Sequence, residues 1–221
     1  GTIAIEAAQL ACGIAPGLID HALRSALAND WAAGRLHGRS NGRRGQSNGR
    51  TMELVNRTEL DGGVLAGLFR AAAAGWDERD LRVEVRYSRS RVYSGTFMFR
   101  PPRIYVNLGR RNRYPLRVGT GIARGRARGR RWSKPVYSVW LTGPEMLALF
   151  IFLHEFYHYL IQRAGRNTRC KEAMCDRFAV RYLAETFALT VLDPRGRPVP
   201  PAEWLIQDLD HFVLRSRAPA S

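Results

Sequence analysis

Lysine is almost missing from this chain. Of its 35 basic residues only Lys134 and Lys171 are lysines, so nearly all of the positive charge is guanidinium charge, planar and permanently on. Acids are scarce as well, 19 of them, which leaves a formal net charge of +16. Cysteine is limited to Cys12, Cys170 and Cys175, too few for a disulfide framework and in keeping with a reducing, cytoplasmic setting. No uncharged apolar run reaches the roughly 18 residues that a membrane helix needs. The opening GTIAIEAAQLACGIAPG also lacks the basic start and long apolar stretch of a secretory signal, so the sequence reads as a soluble protein without a membrane partner. What remains is 221 residues at 45% hydrophobic content, enough for one core and a small appendage.

The most informative stretch is Leu147 to Ile161, LALFIFLHEFYHYLI, an apolar helix interrupted by His154, Glu155 and His158. Histidines four residues apart stand one above the other on a helix face, so both ring nitrogens reach a single metal ion. Glu155 lies beside that face, where its carboxylate is placed to hold and deprotonate a water rather than to ligate the metal. Ionisable groups bounded by Leu149 to Leu153 on one side and Leu160 and Ile161 on the other are costly to bury without a metal or partners.

A catalytic zinc ion takes three protein ligands and keeps a fourth position open. Downstream comes KEAMCDRFAVRYL, Lys171 to Leu183, an amphipathic helix in which Glu172, fourteen residues after His158, and Asp176 share a face. Glu172 completes a His2Glu set, and Asp176, one turn on, is placed to accept the second ring proton of a ligand histidine. Cys170 and Cys175 are alternative soft ligands, but five residues apart they point to different faces, and Glu172 fits with less contrivance.

HEFYH followed by Glu172, Asp176, Phe178 and Ala179 (ExxxDxFA) resembles the glutamate-zincins with a short link between ligands, most closely the ImmA/IrrE-type metallopeptidases of bacteria, phages and mobile elements. The matched motifs cover about residues 144 to 187. The resemblance implies an α+β minimal zincin fold, with a small sheet packed on an HExxH helix and a glutamate helix. It implies Zn2+ held by His154, His158 and Glu172, Glu155 as general base, and Phe178 and Ala179 packing one helix on the other. The chain departs from that pattern at Phe156, Tyr157 and Cys175, where smaller or aliphatic residues, or alanine, are usual. The expected activity is endopeptidase hydrolysis of a protein or peptide substrate.

Around this centre the chain divides into an N-terminal helical appendage (1–33), a flexible basic linker (34–50) and the zincin-like domain (51–221). In the last, Thr58 is expected to cap a helix running to Ala74. Three strands follow, at Leu81–Tyr87, Gly95–Phe99 and Arg103–Leu108, and the third is the candidate edge along the cleft. A basic loop spans 110–131, Trp132–Trp140 reads as one strand, and Ala202–Leu214 as a final helix. Residues 35 to 135 hold 23 arginines and Lys134 against seven acids, an excess of +17, so the rest of the chain is close to neutral. Arg124, Arg126, Arg128, Arg130 and Arg131 form the densest run, and their charge and intervening glycines suit a phosphate backbone without base reading. The competing reading is therefore a nucleic-acid-associated structural or regulatory protein of a phage or mobile element, its zincin site vestigial. Tyr137, Tyr157, Tyr159, Arg163 and His211 are the candidates for steadying an oxyanion, with Tyr157 and His211 foremost.

Overall fold

The computed structural model describes residues 51–89, 92–128 and 131–218. The expected N-terminal appendage and basic linker lie outside them. The first half builds a mixed four-stranded sheet from β1 (Glu53–Asn56), β2 (Arg82–Ser88), β3 (Tyr93–Phe99) and β4 (Pro102–Gly109), with helix α1 (Gly62–Ala73) between β1 and β2. The spatial order is β1-β2-β4-β3; β1, β2 and β4 run parallel and β3 antiparallel. Period-two alternation decides the faces. Val83 and Val85 lie beside Ile104 and Val106, all fully buried against the helices. Arg82, Glu84 and Arg86 line the opposite face, where the Arg86 guanidinium stacks 4.3 Å over the Tyr105 ring.

Two short antiparallel pairs follow. β5 (Leu116–Thr120) pairs with β8 (Tyr137–Leu141), and β6 (Arg126–Arg128) forms a hairpin with β7 (Arg131–Ser133). Helix α2 (Pro144–Arg163) then crosses the molecule, packed against β3 and β4 and against α1, and α3 (Glu172–Phe187) lies along it. The chain ends in two one-turn helices, α4 (Pro201–Trp204) and α5 (Leu209–Phe212), and a 3-10 turn at Leu214–Ser216. The architecture is α+β with a small mixed sheet, and among the described residues no helix is long and apolar enough to cross a membrane.

Several expected elements are corrected. Arg103–Leu108 is not an edge: β4 bonds to β2 on one side and to β3 on the other, so β3 is the edge strand beside α2. The basic loop 110–131 contains β5 and β6, where Leu116, Val118 and Thr120 alternate with Arg117 and Gly119 beneath the arginine density. Trp132–Trp140 is broken into two strands around Pro135, which has no N–H to give a ladder. Asp61 rather than Thr58 caps α1: its carboxylate accepts from Gly63 N at 2.7 Å and Val64 N at 3.1 Å, while the Thr58 hydroxyl donates to Asn56 Oδ1. The C-terminal helix is interrupted between Trp204 and Leu209, each buried as a separate anchor.

Helix α2 is the spine of the core. Of its 20 residues, 14 are buried. Pro144 occupies its first turn after Gly143. It ends in a Schellman turn, with Arg166 N bonded to Ile161 O, Gly165 N to Gln162 O, and Gly165 at φ +71. Phe152 stacks on Phe69 of α1 at 4.3 Å and Tyr157 on Phe178 of α3 at 4.7 Å.

Its C-terminal end is tied down by Asp77. The buried carboxylate accepts from Arg79 Nε and Nη2, both at 2.8 Å, and from Arg163 Nη2, while the Asp77 carbonyl accepts from the Tyr159 hydroxyl at 2.9 Å. These bonds, that from Arg79 foremost, hold the Asp77 carboxyl well below the usual carboxylate range in spite of its burial. A depressed folded-state pKa means that the stabilisation is complete above the unfolded value of about 3.9 and is lost as pH falls through the folded one. Asp77→Ala is expected to cost about 2 kcal/mol at neutral pH, with the gap from wild type closing below about pH 4; urea unfolding at a series of pH values measures it.

Candidate metal centre

One turn of α2 separates His154 from His158, and their ring centroids lie 5.3 Å apart. The first turn of α3 brings Glu172 across from them. Its Oε2 is 3.2 Å from His154 Nε2 and its Oε1 3.3 Å from His158 Nε2. One turn further, Asp176 Oδ1 meets His154 Nδ1 at 2.8 Å, and Asp176 Oδ2 accepts the Gly121 N–H at 2.5 Å. The pairing of α2 with α3 thus brings together four of the residues singled out in the sequence. The histidine side chains are mostly buried, at 16% and 13% exposure, whereas that of Glu172 is 71% exposed, so the group opens to solvent on the glutamate side.

Two imidazole nitrogens with a carboxylate and a thiol beside them are donors of the kind that hold a metal ion. Zinc bonds of about 2.1 Å put neighbouring corners of a tetrahedron about 3.4 Å apart; the Nε2 to Glu172 separations are of similar length but run to different oxygens of the carboxylate. They are long for charge-assisted hydrogen bonds, which run to about 2.7–2.9 Å. Charge is arranged to the same end. Burial works against protonating His154, yet its hydrogen bonds to the Asp176 and Glu172 carboxylates push its pKa up to about 10. Burial, then the charge on His154, moves His158 down, and the hydrogen bond from His154 moves Glu172 down. The carboxylates thus draw one positive charge into the space between the three side chains.

Glu155 follows His154 on α2 and meets β3 at Gly95. Its carboxylate is buried and takes the backbone N–H of Phe97 on β3. Burial pushes its pKa up to about 7; Glu172 adds to the rise, and His154 and the Phe97 bond oppose it. Gly95 makes the approach possible: a Cβ there would stand 2.2 Å from Glu155 Oε1.

Cys175, the alternative ligand set aside in favour of Glu172, does join the histidines. It is fully buried, and its sulfur and one ring nitrogen each of His154 and His158 lie within 4.8 Å of one another. Burial, then the nearby Glu172, Glu155 and Asp176 carboxylates, push its thiol upward, toward the protonated form. The signal was legible, since Cys175 follows Glu172 by three residues and Asp176 follows it by four, both helical neighbours of the glutamate. Cys170 is exposed, at φ +57 outside the helix. By atom separation alone His-His-Cys is the tighter cluster. Glu172 stands opposite the same two rings, with one oxygen to each Nε2 atom.

The oxyanion candidates fare differently. Tyr157 is removed from that role: it is buried on the Phe178 side of α2, with its hydroxyl donated to the Leu209 carbonyl at 2.9 Å. Tyr159 and Arg163 are both committed to Asp77, and Tyr137 is buried inward on β8. His211 is exposed on α5, and among the described residues no hydrogen bond or ion pair joins it to the histidine pair. Of the basic run, Arg124 is exposed ahead of β6, Arg126, Arg128 and Arg131 belong to the hairpin strands, and Arg130 is outside the described residues.

Comparison with family models, with curated proteins and with solved structures finds no match to this chain.

Proposed function

We propose that the chain is a zinc-dependent endopeptidase built as a minimal zincin. The observation that carries this is the placement of the two Glu172 oxygens opposite the two histidine Nε2 atoms, with a buried carboxylate, Glu155, held beside them by the edge strand. Zinc held by His154, His158 and Glu172 supplies Lewis-acid polarisation of the scissile carbonyl and acidification of a water molecule. Glu155 would take a proton from the attacking water and give it to the leaving nitrogen, a task suited to a carboxylate whose burial has moved it toward neutral pH. Asp176 fixes the His154 ring by taking its Nδ1–H, which leaves Nε2 free to ligate. Among the described residues β3 has a strand partner only in β4, so its far edge is where an extended peptide would add as a further strand.

The test is direct. Protein purified without chelators should contain one zinc ion per chain and cleave members of an unbiased peptide library, and 1,10-phenanthroline should abolish cleavage; metal-loaded protein that cleaves nothing defeats the proposal. Gly95→Ala adds a finer expectation. The new methyl group would displace the Glu155 carboxylate by about an ångström, a shift that costs on the order of a hundredfold in rate, while zinc content stays at the wild-type level.

A second reading rests on Cys175. Were its sulfur a ligand in place of water, the site would be closed and structural, and Glu155 would have no task. The basic hairpin is a separate proposal, a sequence-neutral contact to nucleic acid. Neutralising Arg124, Arg126, Arg128, Arg130 and Arg131 is expected to lower DNA or RNA binding and flatten its salt dependence without altering cleavage of a short uncharged peptide, measured at two salt concentrations.

A further inference from the structure

Two consecutive residues of α3 grip two consecutive residues of the segment after β5. Asp176 takes the N–H of Gly121 at 2.5 Å with one oxygen while the other takes His154 Nδ1. Arg177, 5% exposed, donates Nε at 3.2 Å and Nη2 at 3.0 Å to the carbonyl of Ile122, and Nη1 at 2.9 Å to Gln207 Oε1. Among the described residues no carboxylate lies within ion-pair distance of this guanidinium, so a buried charge is satisfied by neutral acceptors alone, which is an expensive arrangement. The gripped segment is itself held close. Ile122 and Ala123 are buried, and a Cβ on Gly121 would come within 3.3 Å of Asp176 Oδ2, so a side chain there would crowd the carboxylate.

We propose that Arg177 is a positioning residue for the metal centre. By fixing the Ile122 carbonyl it keeps the Gly121 amide on Asp176, and through Asp176 it sets the ring angle and tautomer of His154. The role rests on the metal-binding part of the function proposed above, not on peptide cleavage. An aspartate with both oxygens engaged has one orientation; freed from the Gly121 N–H, it can turn away from Nδ1, and the ring then loses the bond that presents Nε2.

A double-mutant cycle on zinc affinity, read by chelator competition, tests this. Asp176→Ala is expected to weaken zinc about tenfold to a hundredfold and Arg177→Met about tenfold, and the double variant should match Asp176→Ala within about twofold, because both changes break one chain of contacts. Independent losses that multiply in the double variant would mean that Arg177 supports the fold only, and overturn the proposal; so would unchanged affinity in Arg177→Met. Should that variant fail to fold, Arg177→Lys keeps the charge and a single donor. It should give a smaller loss of affinity and faster hydrogen exchange at the Gly121 amide in the metal-free protein, and unaltered exchange there overturns the role as well. Wild-type protein that takes up no zinc overturns both the metal reading and this one, whereas zinc uptake with multiplying losses overturns this one alone.

Discussion

Glu155→Gln is expected to fold, to hold one zinc ion per chain and to hydrolyse peptides about 10² to 10⁴ times more slowly than wild type. The substitution is close to isosteric, and the amide oxygen can still accept the Phe97 N–H that holds Glu155 against β3. What disappears is the basic carboxylate, so water loses the group that takes its proton. Zinc should remain because Glu155 is turned toward Gly95 and Phe97, and the carboxylate that faces both Nε2 atoms belongs to Glu172. Cleavage of a quenched fluorescent peptide, read beside elemental analysis of the same samples, measures both quantities. Full activity in the variant removes Glu155 from the mechanism, and loss of zinc would make it a ligand instead of a base.

Glu172→Ala and Cys175→Ser should separate just as widely. Loss of the glutamate removes a ligand, and zinc affinity should fall by more than the roughly hundredfold that an outer partner can cost. Cys175→Ser should change it little, because the buried thiol is held toward its protonated form and a hydroxyl of similar size fills the same space. The opposite ranking, together with a thiolate-to-metal charge-transfer band in cobalt-loaded protein that vanishes in Cys175→Ser, would establish the closed site and refute the catalytic one. The two variants decide between the readings without an activity assay, so they remain informative if the natural substrate has a narrow sequence requirement.

The cluster of His154, His158, Glu172 and Asp176 was far more legible in the sequence than the sheet around it. His154, His158, Glu172 and Asp176 lie on two helices whose 3.6-residue period fixes which side chains share a face, and helix-to-helix packing did the rest. Strand neighbours carry no such local record. Nothing in RIYVNL says that β4 lies between β2 and β3, because the parallel pairing to β2 is a long-range choice made across the intervening hairpin. β5 was hidden for a different reason. Its alternation is written with Arg117 and Gly119 in the outward places, and both look like loop residues in an arginine-rich stretch. Thr58 and Asp61 are both good cap residues three apart, and the choice of Asp61 came from the Asn56 side chain engaging Thr58 first. Tyr157 misled because adjacency to a ligand in sequence is a turn of about 100° on the helix.

The burial of α2 on nearly every side bears on how metal comes and goes. His154 and His158 are carried on a helix whose position is set by Phe69, Phe178, Asp77 and the sheet, none of which depends on an ion. In small metallo-domains the free energy of ligation is spent on folding, and chelation unfolds the chain. Here the ligands stand ready beforehand, so little ordering entropy is lost on loading. On the zinc reading, the apoprotein is expected to be a stable, reloadable species whose melting temperature rises with added zinc by mass action alone, which thermal melts with and without the ion measure.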